Sequence, residues 1–185
     1  MSGFSKGLQK VQVALKWDPA PRGAPPHDLD LIAAAYTADA PHGPPDYLVH
    51  FDRRSPDGTI SLHRESRTGL GFGIDEALTL ELDRLAPRYV RVVVGVAIQQ
   101  SAADDRLGFA RIANASVQVV SADTAVRIST GDAELAMHDL TTLGEATAAT
   151  LAEFTRGEDG TWAYAALLRG YDADPADFTG FLGAA

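Results

Sequence analysis

The chain contains no cysteine, which excludes disulfides, thiolate nucleophiles and Cys-ligated zinc. It also lacks any surplus of basic residues: 16 Lys and Arg stand against 25 Asp and Glu, for a formal net charge of −9. Backbone binding to nucleic acid needs clustered cations, so no nucleic-acid partner is expected. No window approaches the roughly 18 uninterrupted apolar residues of a membrane span, and residues 1–12 hold no apolar stretch of signal-peptide length. The expectation is a cytoplasmic protein without membrane insertion. Catalytic patterns are missing too. No Gly-x-Ser-x-Gly surrounds a serine, no two histidines lie one helical turn apart, and His27, His42, His50, His63 and His138 are scattered. Without a recognisable set of acid, base and nucleophile, the chain reads as a non-enzyme. The run Gly69-Leu70-Gly71-Phe72-Gly73 is not a phosphate-cradling loop, because no lysine follows it and no βαβ unit surrounds it.

What is present is period-two hydrophobicity. Val11, Val13, Leu15 and Trp17 alternate with Gln12, Ala14 and Lys16, the pattern of a half-buried strand, and Asp18-Pro19 stops it. Residues 28–36, 77–82, 112–120, 125–129 and 135–140 continue the strand rhythm, and 90–98 (VRVVVGVAI) is the most apolar stretch, suited to a central strand. Residues 47–52 and 59–64 flank Ser55-Pro56-Asp57-Gly58, so a hairpin is expected there. The alanines of 146–156 favour helix by propensity, but Ala148, Thr150, Ala152 and Phe154 alternate. A turn at Glu158-Asp159-Gly160-Thr161 leads on to Trp162, Tyr164, Ala166 and Leu168, so a second hairpin is expected. Asp174-Pro175 suits the start of a short terminal helix. With 45% hydrophobic and 22% charged residues over 185 positions, these short, evenly spaced strands predict one mainly β domain, a β-sandwich of two sheets with short helical segments. No linker or repeat divides it.

Three stretches resemble the TerD family. They are Asp28-Leu29-Asp30 opening a strand after a polar loop; residues 56–78, PDGTISLHRESRTGLGFGIDEAL; and 109–120, FARIANASVQVV, followed by 162–171, WAYAALLRGY. The segment from Thr68-Gly69 to Leu78 is the specific part. The resemblance implies a β-sandwich with calcium sites formed by loops at one end, in a family found in bacterial stress and tellurite-resistance gene clusters. The chain departs from the family pattern at Arg64-Glu65-Ser66, where a Gly-Asp-Asn triplet is usual. It departs also at Phe72 and Ile74, which replace loop acids, and at Gln99-Gln100, where a His-Asp pair often stands.

The candidate metal ligands are Asp28, Asp30, Glu65, Asp75 and Glu76. Calcium takes six to eight oxygens from carboxylates, carbonyls and water. Asp28 and Asp30 would share one face of a strand, about 7 Å apart. The glycines at 69, 71 and 73 would let backbone carbonyls turn inward, and Asp75 and Glu76 close that loop. Fewer loop carboxylates imply weak calcium affinity. Phe72, in the same loop, either folds back onto the sandwich or stands out as an anchor for a protein partner. Two functions compete: a calcium-binding stress-response module, and an interaction or scaffold protein whose metal sites have degenerated.

Overall fold

The computed structural model describes residues 7–101, 105–123 and 134–184. Ten strands follow in chain order: β1 (Lys10–Lys16), β2 (Leu29–Thr37), β3 (Tyr47–Val49), β4 (Ile60–Arg64), β5 (Glu76–Glu81), β6 (Tyr89–Ile98), β7 (Ser116–Ser121), β8 (Glu134–Asp139), β9 (Ala148–Arg156) and β10 (Trp162–Tyr171). One helix, α1 (Pro175–Phe181), closes the described chain. The strands form two five-stranded antiparallel sheets, ordered β4-β5-β1-β7-β8 and β10-β9-β6-β2-β3. This is the two-sheet, mainly β architecture that the alternation implied.

Alternation sets which side chains fill the space between the sheets. From the first sheet, Val11, Val13 and Leu15 of β1 join Leu78 and Leu80 of β5 and Val117 and Val119 of β7; from the second come Leu29 and Leu31 of β2, Val92, Val94 and Val96 of β6, and Phe154 of β9. All are fully buried, and burial of such side chains is the main favourable term in folding. The near-continuous apolar run of β6 has a separate cause. Its outward residues Val93 and Ala97 are also covered, together with Ile32, Ala34 and Tyr36 of β2, by Phe178 of α1 and by Leu182 beyond it. A strand buried on both faces needs no polar alternation. Gly95 lets the helix approach, since a Cβ there would lie 2.5 Å from Leu182 Cδ1 and 2.8 Å from the Phe178 ring.

Several local expectations hold. Residues 148–156 and 162–171 pair as a hairpin, with Ala152 opposite Ala166, so alternation outweighs alanine's helix propensity once a neighbouring strand is available. Asp174-Pro175 does start α1, although the Asp174 carboxylate accepts from Arg106 Nη1 at 2.9 Å rather than capping the helix. The expected strand 112–120 begins only at Ser116, because the chain turns at residues 112–114, with Asn114 at φ +54°. The strand expected at 125–129 lies outside the described residues.

One expectation fails. Residues 47–52 and 59–64 do not pair with each other: β3 pairs with β2 in one sheet and β4 with β5 in the other. The turn chemistry itself is real, with Asp57 Oδ1 accepting from Ser55 Oγ, Thr59 N and Thr59 Oγ1. Turn residues dictate a local reversal but not the sheet to which the chain returns. Val49 and Ile60 both reach the shared core from opposite sheets, so the segment between them is a crossover.

Candidate metal centre

Glu76 is the most deeply buried acid among the described residues. It opens β5 in phase with Leu78 and Leu80, so its side chain points between the sheets, and it is fully buried. The short β3 covers β2 only from Ala33 to Ala35, leaving the Leu31 N–H on that side without a strand partner. Glu76 Oε2 accepts this N–H at 2.7 Å. Glu76 Oε1, also buried, has no hydrogen-bond partner. Burial raises the carboxyl to about 9; the Leu31 hydrogen bond pulls the other way, and the charges of Asp30, Asp28 and Glu65 push it further up.

Those three acids are the neighbours foreseen from sequence. Asp30, in β2, is buried and accepts from Gln99 Nε2 at 2.6 Å. Desolvation raises its pKa against that hydrogen bond, with Glu65 adding to the rise. Asp28 precedes β2, and its carbonyl holds the chain beyond β6 by accepting the Gln99 N–H at 2.8 Å. Its Oδ1 is a second buried oxygen without a donor. Burial first, and then Asp30, raise the Asp28 carboxyl to about 6. Glu65 is exposed and sits 3.5 Å from Arg67 Nε. Arg67 is the one cation that counters Asp28 and Asp30 electrostatically. Asp28, Asp30, Glu65 and Glu76 thus form one electrostatic cluster where β2 and β5 begin and β6 ends.

Asp75 is placed elsewhere. Its Oδ2 accepts the Trp17 N–H at 3.0 Å, and its own N–H donates to Leu15 O at 2.9 Å. It ties the end of β1 to the glycine loop. Gly69 completes this contact: it has φ +65°, and a Cβ there would lie 2.6 Å from Trp17 Nε1. Trp17 Nε1 in turn donates to His27 O at 2.9 Å, placing the indole between the two loops that carry the acids. At the tip of the glycine loop Phe72 is wholly exposed and Leu70 is 70% exposed. Phe72 does not fold back; it stands between Gly71 at φ +134° and Gly73 at φ +92°, backbone conformations that glycine alone adopts freely.

Gln99 is the participant that sequence reasoning missed. Its position was noted only as a replacement for a family His-Asp pair, yet it supplies both a side-chain donor to Asp30 and a backbone donor to Asp28. The available signal was its place directly after β6, the strand paired with β2.

The donors are all oxygen, suited to a hard divalent cation rather than to zinc or copper. Two buried oxygens, Glu76 Oε1 and Asp28 Oδ1, lack donors, and a buried polar group without a partner marks strain or a place for another ligand. Among the described residues, however, no three His, Asp or Glu side chains stand close enough to clasp one ion. An ion held here would draw further oxygens from loop carbonyls and water.

Two sheets packed face to face, with an under-satisfied carboxylate cluster at one end, define a β-sandwich domain with an acidic loop pole. The chain belongs to the TerD domain family, whose model matches residues 1–179. It is 28% identical over 174 residues to the tellurium resistance protein TerD of Alcaligenes sp, covering 92% of this chain and 85% of that protein. It is 26% identical over 168 residues to general stress protein 16U of Bacillus subtilis, covering 89% and 82%. Among solved structures, it superposes with a TM-score of 0.88 on a homologue of telluride resistance protein (TerD) from Streptomyces coelicolor A3(2), at 48% identity, over 97% of this chain and 99% of that one. No helix among the described residues is long and apolar enough to cross a membrane.

Proposed function

We propose that this domain of the tellurium-resistance-associated TerD family is a non-enzymatic stress-response module that binds calcium weakly through Asp28, Asp30, Glu65 and Glu76. The observation that carries this reading is the fully buried Glu76 carboxyl, with Oε1 lacking any donor and three further acids raising its proton affinity. Burying an unpaired carboxylate is costly. A divalent cation removes that cost by replacing the proton and drawing the acids together. Bound calcium would supply charge neutralisation and a fixed geometry between the β2 and β5 loops, while the chain's own residues position it. Glu76 bridges the sheets through Leu31 N, Gln99 orients Asp30, and Asp75 with Gly69 locks the loop against Trp17.

Calcium binding is tested by calorimetry at pH 7.5 together with thermal melts. Binding with a dissociation constant on the order of 10⁻⁴ M implies stabilisation of about 2 kcal/mol at about 5 mM calcium, by RT ln(1 + [L]/Kd). Binding should also release close to one proton, since burial raises the Glu76 carboxyl to about 9, above the assay pH, and magnesium should do less. Absence of both heat and melting shift would leave the interaction or scaffold reading, which the exposed Phe72 and Leu70 favour. In that case a Phe72→Ser variant should lose a protein partner that the native chain captures from its own cell.

A further inference from the structure

A second site lies beyond the acidic cluster, where the chain crosses from β3 to β4. A cleft of about 450 Å³ opens there, walled by Phe51, Arg53, Arg54, Ser61 and His63, with Val49 and Ile60 beneath. Its size falls within the roughly 300–1,000 Å³ of small-molecule sites. Its charge is opposite to that of the rest of the molecule. In a chain of net charge −9, the charged residues that line it are Arg53 and Arg54 against Glu65 alone.

The nearby polar groups leave the arginines available. Asp57 is consumed by three hydrogen bonds from Ser55 and Thr59. Glu65, the only carboxylate among the lining residues, is turned to Arg67. Neither the Arg53 nor the Arg54 guanidinium has a carboxylate partner among the described residues. The Arg53 backbone is nonetheless held, by reciprocal hydrogen bonds of 3.0 Å with His50. Ser61 Oγ and His63 Nε2, 3.2 Å apart on β4, add a hydroxyl and an imidazole to the lining. Burial and the adjacent Arg53 hold His50 below its ordinary pKa, so the positive charge of the site comes from the arginines. Unpaired guanidiniums lining one cleft with hydroxyl and imidazole groups match a tetrahedral oxyanion, which arginine binds through paired N–H donors. The volume exceeds that of a bare ion, and the apolar floor and the half-exposed Phe51 suit a small organic body.

We infer that the cleft between β3 and β4 binds the phosphate group of a small phosphorylated molecule through Arg53 and Arg54, with Ser61 and His63 in the same lining. The cleft shares Glu65 with the acidic cluster but draws its positive charge from Arg53 and Arg54, so the test is run in EDTA, and its failure leaves the metal reading untouched.

Two-dimensional NMR titrations of the full chain with ribose 5-phosphate, inorganic phosphate and ribose, at matched ionic strength, read the site directly. Ribose 5-phosphate should shift amides within residues 50–65 and bind more tightly than inorganic phosphate, while ribose should shift none. If inorganic phosphate binds as tightly, the cleft recognises the free ion, and the assignment to a phosphorylated molecule is overturned. An Arg53→Gln/Arg54→Gln variant, altered only at exposed positions, should keep its amide spectrum elsewhere and weaken ribose 5-phosphate by about tenfold or more. No shift up to about 20 mM ligand, weaker than any specific millimolar site, overturns the proposal. So does a shift that persists in the double variant.

Discussion

Replacing Glu76 with Gln removes, among the described residues, the one acid whose burial is complete and whose second oxygen lacks a donor. The folded-state pKa is about 9 against an ordinary 4.5, so the folded chain holds a proton that the unfolded chain releases. The stabilising contribution is therefore fully present below pH 4.5 and is lost as pH rises through 9. Each pH unit in that window costs about 1.4 kcal/mol, or about 4 kcal/mol between pH 5 and pH 8. Glutamine keeps the shape and the acceptor for Leu31 N–H and has no proton to lose. Thermal melts in EDTA should find the two proteins similar at pH 5 and the variant more stable at pH 8, by roughly 3–4 kcal/mol. At about 2–4 °C per kcal/mol for a chain of this size, that is a gap on the order of 10 °C. Calcium should narrow the gap by stabilising only the native chain. Parallel melting curves from pH 5 to pH 9, or a variant less stable at pH 8, would refute the claim that Glu76 is buried against its charge.

Asp75→Ala should cost about 1–3 kcal/mol, because the Trp17 N–H loses its buried acceptor, yet calcium should still raise the melting temperature; loss of that response would place Asp75 at the metal. Gly95→Val should detach α1 from β6, since the new side chain meets Phe178 and Leu182. It should lower stability by about 1–3 kcal/mol and raise hydrogen exchange on the outer face of β2 and β6, and unchanged exchange there would count against that packing. The acidic surface should prevent DNA binding. A mobility shift at low micromolar protein in about 150 mM salt, where even basic proteins bind non-specifically only at 10⁻⁴–10⁻⁶ M, would contradict it.

Much of the sandwich was legible because alternation is local. Val11, Val13 and Leu15 declare a half-buried strand from neighbours two apart, and the near-continuous apolar run of β6 declares burial on both faces. The acids, too, were visible in the chain. Hidden from it was which residues meet across space. Residues 47–52 and 59–64 have ideal turn chemistry between them, and only the packing of Val49 and Ile60 from opposite sheets separated β3 from β4.

Asp75 and Glu76 make the same point within a single peptide bond. Both are acids closing a glycine loop, and the sequence by itself determined only that their side chains take opposite sides of the chain as β5 begins. The tertiary structure decided the roles, setting Asp75 on the Trp17 backbone and driving Glu76 between the sheets onto Leu31. Gln99 is brought to Asp30 by strand pairing across a separation of 69 residues. Periodicity is a property of neighbours along the chain. Desolvation and charge proximity belong to the folded space between the sheets, and they raise the proton affinities of Glu76 and Asp28.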